Sequence, residues 1–243
     1  MKNSIKLSIL VIAFATTISH AQSRGNNQKI SGNGNLKSET RTTATYDEIK
    51  VSGFFDVDLV AGTEGKINVN AEENILEYII IESENNILSI YTKKGISIQT
   101  NKKVTIQVPF ESLNKISLVG SGDVNSKNTI KSDNLDIKLT GSGDMNLEIE
   151  AKTTEISLAG SGDMVVKGKS GDLISKLSGS GNIDAYNLAT ANADVAVAGS
   201  GDLKVFCTES LKARVAGSGD INYKGNPKTK DTKTAGSGDI SGK

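Results

Sequence analysis

The chain has 243 residues with 28 basic and 28 acidic side chains, so its formal net charge is zero. A neutral chain has no electrostatic footprint for nucleic acid or for an anionic membrane surface. Its single cysteine, Cys207, has no partner for an intramolecular disulfide. Stability therefore has to come from backbone pairing and core packing rather than from a disulfide framework.

The first 21 residues have the pattern of a secretory signal peptide. Lys2 and Lys6 give a positively charged start, residues 9–14 form an apolar run, and Ser19-His20-Ala21 provides small residues at a cleavage site. The apolar run is too short for a transmembrane helix. We therefore expect an exported protein that is periplasmic, on the outer surface or secreted.

Removal of this segment would exclude most familiar catalytic sites. His20 is the only histidine, and the chain has no tryptophan. The mature chain would lack the histidine on which Ser-His-Asp and Cys-His enzymes and most zinc sites depend. Carboxylate chemistry is the main catalytic option left, and we expect no cofactor.

A four-residue motif, Gly-Ser-Gly-Asp, recurs through the second half of the chain. Its first glycines are 18 to 21 residues apart: Gly120, Gly141, Gly160, Gly179, Gly199, Gly217 and Gly236. Six copies end in aspartate and the fourth ends in Asn182. Glycine accepts a positive φ angle, and Asp or Asn bonds nearby backbone N–H groups in an Asx turn. The motif therefore predicts one tight corner per repeat.

Apolar and polar residues alternate on both sides of each corner, which predicts a strand before it and a strand after it. In six copies the residue two positions before the first glycine is aliphatic: Leu118, Leu139, Leu158, Leu177, Val197 and Val215. Such short strands cannot bury an apolar face alone, so equivalent strands should stack in parallel about 4.8 Å apart. The sequence predicts an all-β solenoid with coils of about 19 residues.

The remainder of the chain divides by its patterns. Residues 45–115 alternate like strands but do not carry the motif, so we expect them to start the solenoid and to cap its N-terminal end. Within them, residues 72–82 fit either a short helix or a buried strand. Residues 22–44 are expected to form a flexible leader, and residues 116–243 the repeat solenoid.

One segment of the N-terminal region resembles a known family. The opening of the head GIN domain, a family described as auto-transporter adhesins, is similar to residues 46–57 (YDEIKVSGFFDV), followed by Leu59 and Gly62. Residues 87–90 (ILSI) and the Gly-Ser-Gly-Asp series add to the resemblance, which covers roughly residues 45–240. The resemblance implies a right-handed parallel β-helix and transfers no catalytic residue.

The motif aspartates form the most prominent candidate site. Carboxylates stacked about 5 Å apart repel each other unless they are neutralised or hydrogen-bonded, and Ca²⁺ takes oxygen ligands of this kind. The alternative is that each is a solvated turn former. We favour turn formers and predict no metal site, with calcium as the competing hypothesis for Asp123, Asp144, Asp163, Asp202, Asp220 and Asp239.

A polysaccharide-degrading enzyme of the pectinase type is the main alternative function. Paired carboxylates about 5–9 Å apart can act as acid with base or nucleophile. The motif aspartate occurs six times, however, whereas an active site is one local exception. Cys207 is expected to be an inward-facing hydrophobic residue rather than a nucleophile.

The aromatic residues of the N-terminal part are expected to pack in the core or the cap. They are Tyr46, Phe54, Phe55, Tyr78 and Tyr91. With no credible catalytic group, we predict a non-catalytic, adhesin-like binding or structural module of the bacterial cell envelope. Its long side face is expected to contact an unknown extracellular protein or glycan.

Overall fold

The computed structural model describes residues 27–243, so the predicted signal peptide lies outside the described part. That part is nearly all β, with one short 3-10 helix at Leu76–Tyr78. The strands in chain order are β1 (Gln28–Ser31), β2 (Leu36–Thr42), β3 (Glu48–Gly53), β4 (Asp56–Ala61), β5 (Lys66–Glu72), β6 (Ile79–Glu84), β7 (Ile87–Thr92), β8 (Ile96–Gln99), β9 (Thr105–Phe110), β10 (Lys115–Gly120), β11 (Val124–Ser126), β12 (Ile130–Gly141), β13 (Met145–Gly160), β14 (Asp163–Gly179), β15 (Asn182–Gly199), β16 (Leu203–Gly217), β17 (Ile221–Lys224), β18 (Thr229–Gly236) and β19 (Ile240–Gly242).

The strands wind into a β-solenoid of about seven turns, with coils of about 19 residues. Consecutive coils pair in parallel and in register, so that Gly120 pairs with Gly141 and Gly141 with Gly160. The same register continues to Gly236 at the last coil. This column of aligned glycine corners confirms the predicted solenoid.

The core lies between the stacked strands, where the predicted inward positions form continuous ladders. Leu118, Leu139 and Leu158 stack on one another and are at most 2% exposed. After the corner, Met145 and Met164 form a matching ladder that is equally buried. Each coil therefore covers the apolar face of the next, which is how strands too short to fold alone become stable.

The N-terminal region starts the stack and closes its end with antiparallel strands. Strands β3 and β4 pair with β10 and β11 on one side, and with β7 and β9 on the other. Strand β5 then pairs with β9, and β6 with β7, both antiparallel. In the stretch 72–82 the short-helix alternative is present as the three-residue 3-10 helix, which is followed directly by β6, a strand whose only buried residue is Ile79. Reversing the chain direction breaks the in-register stack at this end.

The expected flexible leader, residues 22–44, differs from the structure over its described part. Residues 36–42 form β2, which pairs antiparallel with β5, and residues 28–31 form β1, which pairs with β8. The reason is that β5 would otherwise leave an unpaired edge in the large sheet, and β8, which forms a separate two-stranded sheet with β1, would leave its backbone groups unpaired. A segment rich in polar residues can pair with these strands, because the hydrogen bonds of strand pairing come from the backbone.

The C-terminal coil has a polar character. All residues of β18 are exposed, and Thr232 and Thr234 stack on Ala213 and Val215 in place of aliphatic residues. Polar residues at a free strand edge discourage edge-to-edge association. Within residues 27–243 no helix has the length and apolar character needed to cross a membrane.

Candidate functional site: the corner column and an axial groove

The first glycine of each corner is needed both for its conformation and for its contact with the preceding coil. Gly160 has a φ angle of +140°, a region that favours glycine. A Cβ atom at this position would lie 2.1 Å from the carbonyl oxygen of Gly141 in the coil below. The same close approach recurs at Gly120, Gly141, Gly179, Gly199, Gly217 and Gly236.

The second glycine is needed for the contact alone. Gly162 does not have a positive φ angle, but a Cβ atom there would lie 1.9 Å from the carbonyl oxygen of Gly143. From the sequence, both glycines of the motif are expected to shape the bend. The structure assigns the second one to the stacking of one corner on another.

Backbone groups of the corners are bonded from coil to coil. The carbonyl oxygen of Gly141 accepts two hydrogen bonds, from the N–H groups of Ser161 (2.9 Å) and Gly162 (3.2 Å). Gly160 accepts in the same way from Ser180 and Gly181. The serine and second-glycine donors of one corner are thus satisfied by the first glycine of the preceding corner.

The motif carboxylates bond the next coil rather than their own turn. Oδ1 of Asp144 accepts the backbone N–H of Asp163 at 2.9 Å, and Oδ1 of Asp163 accepts that of Asn182 at 3.0 Å. Asn182 continues the series through its amide oxygen, which accepts the N–H of Asp202 at 3.1 Å. The expected local Asx turn is therefore replaced by an inter-coil bond. This also explains why asparagine can stand in the fourth copy, since it keeps the acceptor.

This arrangement recurs at successive corners from Asp123 to Asp239. The described residues contain no cluster of three or more His, Cys, Asp or Glu side chains placed to hold a metal ion. The carboxylates serve as acceptors for backbone donors, and the regular series singles out no pair as a catalytic acid and base.

The remaining candidate residues are placed as follows. Cys207 is fully buried, and burial raises the pKa of its thiol to about 11, so it is a poor nucleophile. Tyr46 and Phe55 are core residues, and the Tyr46 hydroxyl donates to the Pro109 carbonyl oxygen at 2.5 Å. Tyr78, Tyr91 and Phe54 are only half-buried at the N-terminal end.

A groove of about 510 Å³ runs along the outer face, beside the corner column. Its floor, which we call the floor column, is the residue before each first glycine: Thr140, Ala159, Ser178, Ala198, Ala216 and Ala235. All six are exposed, and their small side chains leave the channel open. Six coils spaced about 4.8 Å apart make the groove about 24 Å long.

Longer side chains form one wall of this groove. This rim column lies three residues before each first glycine, and its cations are Lys138, Lys176, Arg214 and Lys233. Lys138 Nζ donates to Asp136 Oδ2 at 2.7 Å, and this bond raises the pKa of Lys138. Lys176 Nζ lies 3.9 Å from Glu155. The methylene stems of these cations extend the apolar surface, and their charged ends border it.

Comparison with known proteins places this solenoid in a family. The model for "Putative auto-transporter adhesin, head GIN domain" matches residues 45–227, about three quarters of the chain. The chain belongs to this family. The matched range therefore includes the first coil, every corner except the last one at Gly236, and most of the groove, and the family resemblance of the N-terminal segment is confirmed.

Solved structures agree with this assignment. A putative adhesin from Bacteroides fragilis NCTC 9343 is 27% identical, with a TM-score of 0.84 over 88% of this chain and 100% of that one. A putative adhesin from Parabacteroides distasonis ATCC 8503 is 26% identical, with a TM-score of 0.73 over 89% and 100%. A putative lipid binding protein from the same organism is 27% identical, with a TM-score of 0.74 over 88% and 100%. No curated protein matches the chain.

The groove of this head GIN domain was not predicted from the sequence, although the sequence contains a signal for it. Small residues recur directly before the first glycine, and cations stand three residues before it in four of the six coils that line the groove. Period-two alternation places both columns outside, because they alternate with the buried aliphatics. The depth of the channel depends on how the long side chains lie, which the sequence does not specify.

Proposed function

We propose that this protein is an exported, non-catalytic, adhesin-like binding module of the bacterial cell envelope, and that the groove binds an extended acidic segment of an extracellular protein. The observation that carries the proposal is the continuous floor of small residues bordered by Lys138, Lys176, Arg214 and Lys233. Membership of the head GIN domain family and the names of its structural neighbours support the adhesin role.

The chemistry of the groove favours an extended protein segment over a sugar chain. The lining contains aliphatic, hydroxyl and cationic side chains but no aromatic ring against which a sugar could stack. About 24 Å accommodates roughly seven residues of extended peptide at about 3.4 Å per residue. Apolar side chains of such a segment would lie on the floor column, and its carboxylates would face the rim column.

The test uses an array of ten-residue peptides in which acidic and apolar residues alternate, probed with the purified protein. The Lys138→Ser, Lys176→Ser double variant removes two rim cations, and serine already occupies this column at Ser157. We expect binding by the wild type and a loss of about tenfold or more in the variant. Added salt should weaken the wild-type interaction, because the contacts are charged and exposed.

A matched control variant also removes two lysines, and therefore the same charge, but from outside the groove. Lys131 and Lys152 form exposed ion pairs with Glu150 and Asp133 and do not line the channel. The Lys131→Ser, Lys152→Ser variant should bind like the wild type. If both double variants lost peptide affinity equally, the loss would be an effect of net charge, and the groove would not be the binding site.

Two other outcomes would replace the proposal. Binding to phosphatidylglycerol vesicles without binding to any peptide would favour a lipid ligand, the class named for one structural neighbour. Release of reducing or unsaturated ends from pectin, lost in Asp163→Asn, would favour the polysaccharide-degrading enzyme.

A further inference from the structure

One corner of the column departs from the motif. Gly53-Phe54-Phe55-Asp56 lies in register with Gly120-Ser121-Gly122-Asp123, because Gly53 pairs with Gly120 and Val57 with Val124. Phe54 therefore occupies the position that is serine in the seven motif corners. Phe55 occupies the position of the second glycine.

The neighbouring coil explains why aromatic residues fit here. The second glycine is required where another corner lies directly below it, as at Gly143 and Gly162. Below the first corner the chain instead makes the longer connection 93–104, which includes β8. This connection diverges from the stack to pair with β1, and it leaves room for two rings.

The divergence opens a cleft of about 930 Å³ beside Phe54. One wall is the loop 31–34 and the other is the loop 99–102. Phe54 and Ile98 are half-buried and pack against the core, so their exposed parts form an apolar patch in the cleft. Gln99 and Asn101, both exposed and both carrying a side-chain amide, also line it.

The buried Glu72 carboxylate joins the two walls, and exposed hydrogen bonds of Asn74 hold the loop 31–34. Glu72 is 3% exposed, and its carboxylate accepts the backbone N–H of Gly34 at 2.5 Å and the hydroxyl of Thr100. Asn74 accepts the N–H of Asn33 at 3.0 Å and donates to the Ser31 carbonyl oxygen at 2.8 Å. The lining is thus held in place before any ligand arrives, which reduces the entropic cost of binding.

We propose that this cleft binds one neutral sugar unit of a glycan. A sugar ring presents C–H groups that pack on an aromatic ring and hydroxyls that exchange hydrogen bonds with amides, and Phe54, Gln99 and Asn101 supply both. The lining carries Glu72 and Lys102 and therefore has no net charge, which suits a neutral ligand. The site and the ligand class differ from those of the groove.

The experiment measures binding of the methyl glycosides of glucose, galactose, mannose and N-acetylglucosamine to the purified protein by saturation-transfer NMR and titration. Phe54→Ser places the motif residue in the first corner, so we expect it to fold. At least one glycoside should bind the wild type, and Phe54→Ser should weaken that affinity on the order of tenfold, the loss of one aromatic contact of this kind. Asn101→Ala, on an exposed loop, should weaken it as well.

Two controls separate this proposal from the groove. Ser142→Ala, at an exposed position of a motif corner, should bind sugar like the wild type, and so should the Lys138→Ser, Lys176→Ser variant. The proposal is overturned if none of the four glycosides binds, or if Phe54→Ser and Asn101→Ala both bind as tightly as the wild type. Loss of sugar binding in the groove variant instead of the cleft variants would move the sugar site to the groove.

Discussion

The corners of the repeat and the first corner of the chain make the same turn with different residues. Between Gly120 and Asp239, each corner lies directly on another, and glycine is required wherever the carbonyl of the coil below approaches within about 2 Å of a Cβ position. The first corner has Gly53 with a φ angle of +143° but carries Phe55 where the others have glycine. The turn itself thus requires one glycine, and the stacking requires the second.

The two regions also differ in what they leave free for binding. In the repeat, the backbone N–H groups of the serine and second glycine of each corner are bonded to the coil below, and the motif aspartates accept from the next coil. In the N-terminal region the chain reverses and diverges, which creates the cleft beside Phe54. The repeat thus offers a long groove on its outer face, and the N-terminal end offers an open cleft between two loops.

The largest effect is expected where an added side chain would prevent one corner from stacking on another. Two glycines that lack a positive φ angle allow this comparison. Gly162→Ala would place a Cβ atom 1.9 Å from the Gly143 carbonyl oxygen, whereas Gly62→Ala would meet only Pro109 Cβ at 3.9 Å. Gly162→Ala should lower the free energy of unfolding by about 1–3 kcal/mol or more. Gly62→Ala should change it by less than about 1 kcal/mol in either direction.

Urea denaturation followed by circular dichroism measures both variants. Midpoints should be compared at equal slope, because a solenoid can unfold in parts rather than in one step. Equal midpoints for Gly162→Ala and Gly62→Ala would show that contact between corners does not select glycine.

A smaller effect tests the inter-coil bonds of the aspartates. Oδ1 of Asp163 accepts both the backbone N–H and the side-chain amide of Asn182, so Asp163→Ala should cost about 0.5–1.5 kcal/mol. Asp163→Asn should cost less, because asparagine keeps the acceptor. At the first corner the N–H of Asp123 bonds the Phe55 carbonyl oxygen at 3.1 Å, not the side chain of Asp56.

Asp56→Ala is therefore the matched control. It removes an ion pair with Lys103, whose side chain is 80% exposed, and exposed pairs contribute little to stability. Thermal melting of the four proteins should rank Asp163→Ala lowest, with Asp56→Ala near the wild type. If Asp56→Ala instead had the lowest melting temperature, the carboxylates would stabilise the protein through their charge rather than through the inter-coil hydrogen bond.

The same contrast explains how much of the fold followed from the sequence. In residues 116–243 the motif marks each corner, so the period sets the register, and alternation sets which residues, such as Leu158, face inward. Residues 45–115 carry no such mark. Strands β7 and β9 follow β3 and β4 in the chain, yet they pair with them on the side away from the repeat. This order depends on long-range pairing, which local sequence patterns do not encode.

The sites followed from the sequence to a smaller extent. The acceptor role of the motif aspartates was predicted, but the partner of Asp144 lies 19 residues away, and a local turn rule cannot identify it. The cleft was missed because Phe54 fits a core or cap position equally well by composition. Phe54 is partly exposed because β8 diverges from the stack. This divergence is a feature of the strand topology, which the sequence pattern does not indicate.

The smallest expected effect concerns calcium and the repeat carboxylates. Ca²⁺ requires six to eight oxygen ligands, whereas Oδ1 of Asp163 already accepts two hydrogen bonds from Asn182. Binding an ion there would break bonds that join the coils, so millimolar CaCl₂ should move Tm of chelator-treated protein by less than about 1 °C. A saturable rise of several degrees that disappears in Asp163→Asn would replace the turn-forming interpretation with a metal ladder. A rise that Asp163→Asn retains and Asp56→Ala abolishes would instead move the ion to the first corner, where the carboxylate does not accept the neighbouring backbone N–H.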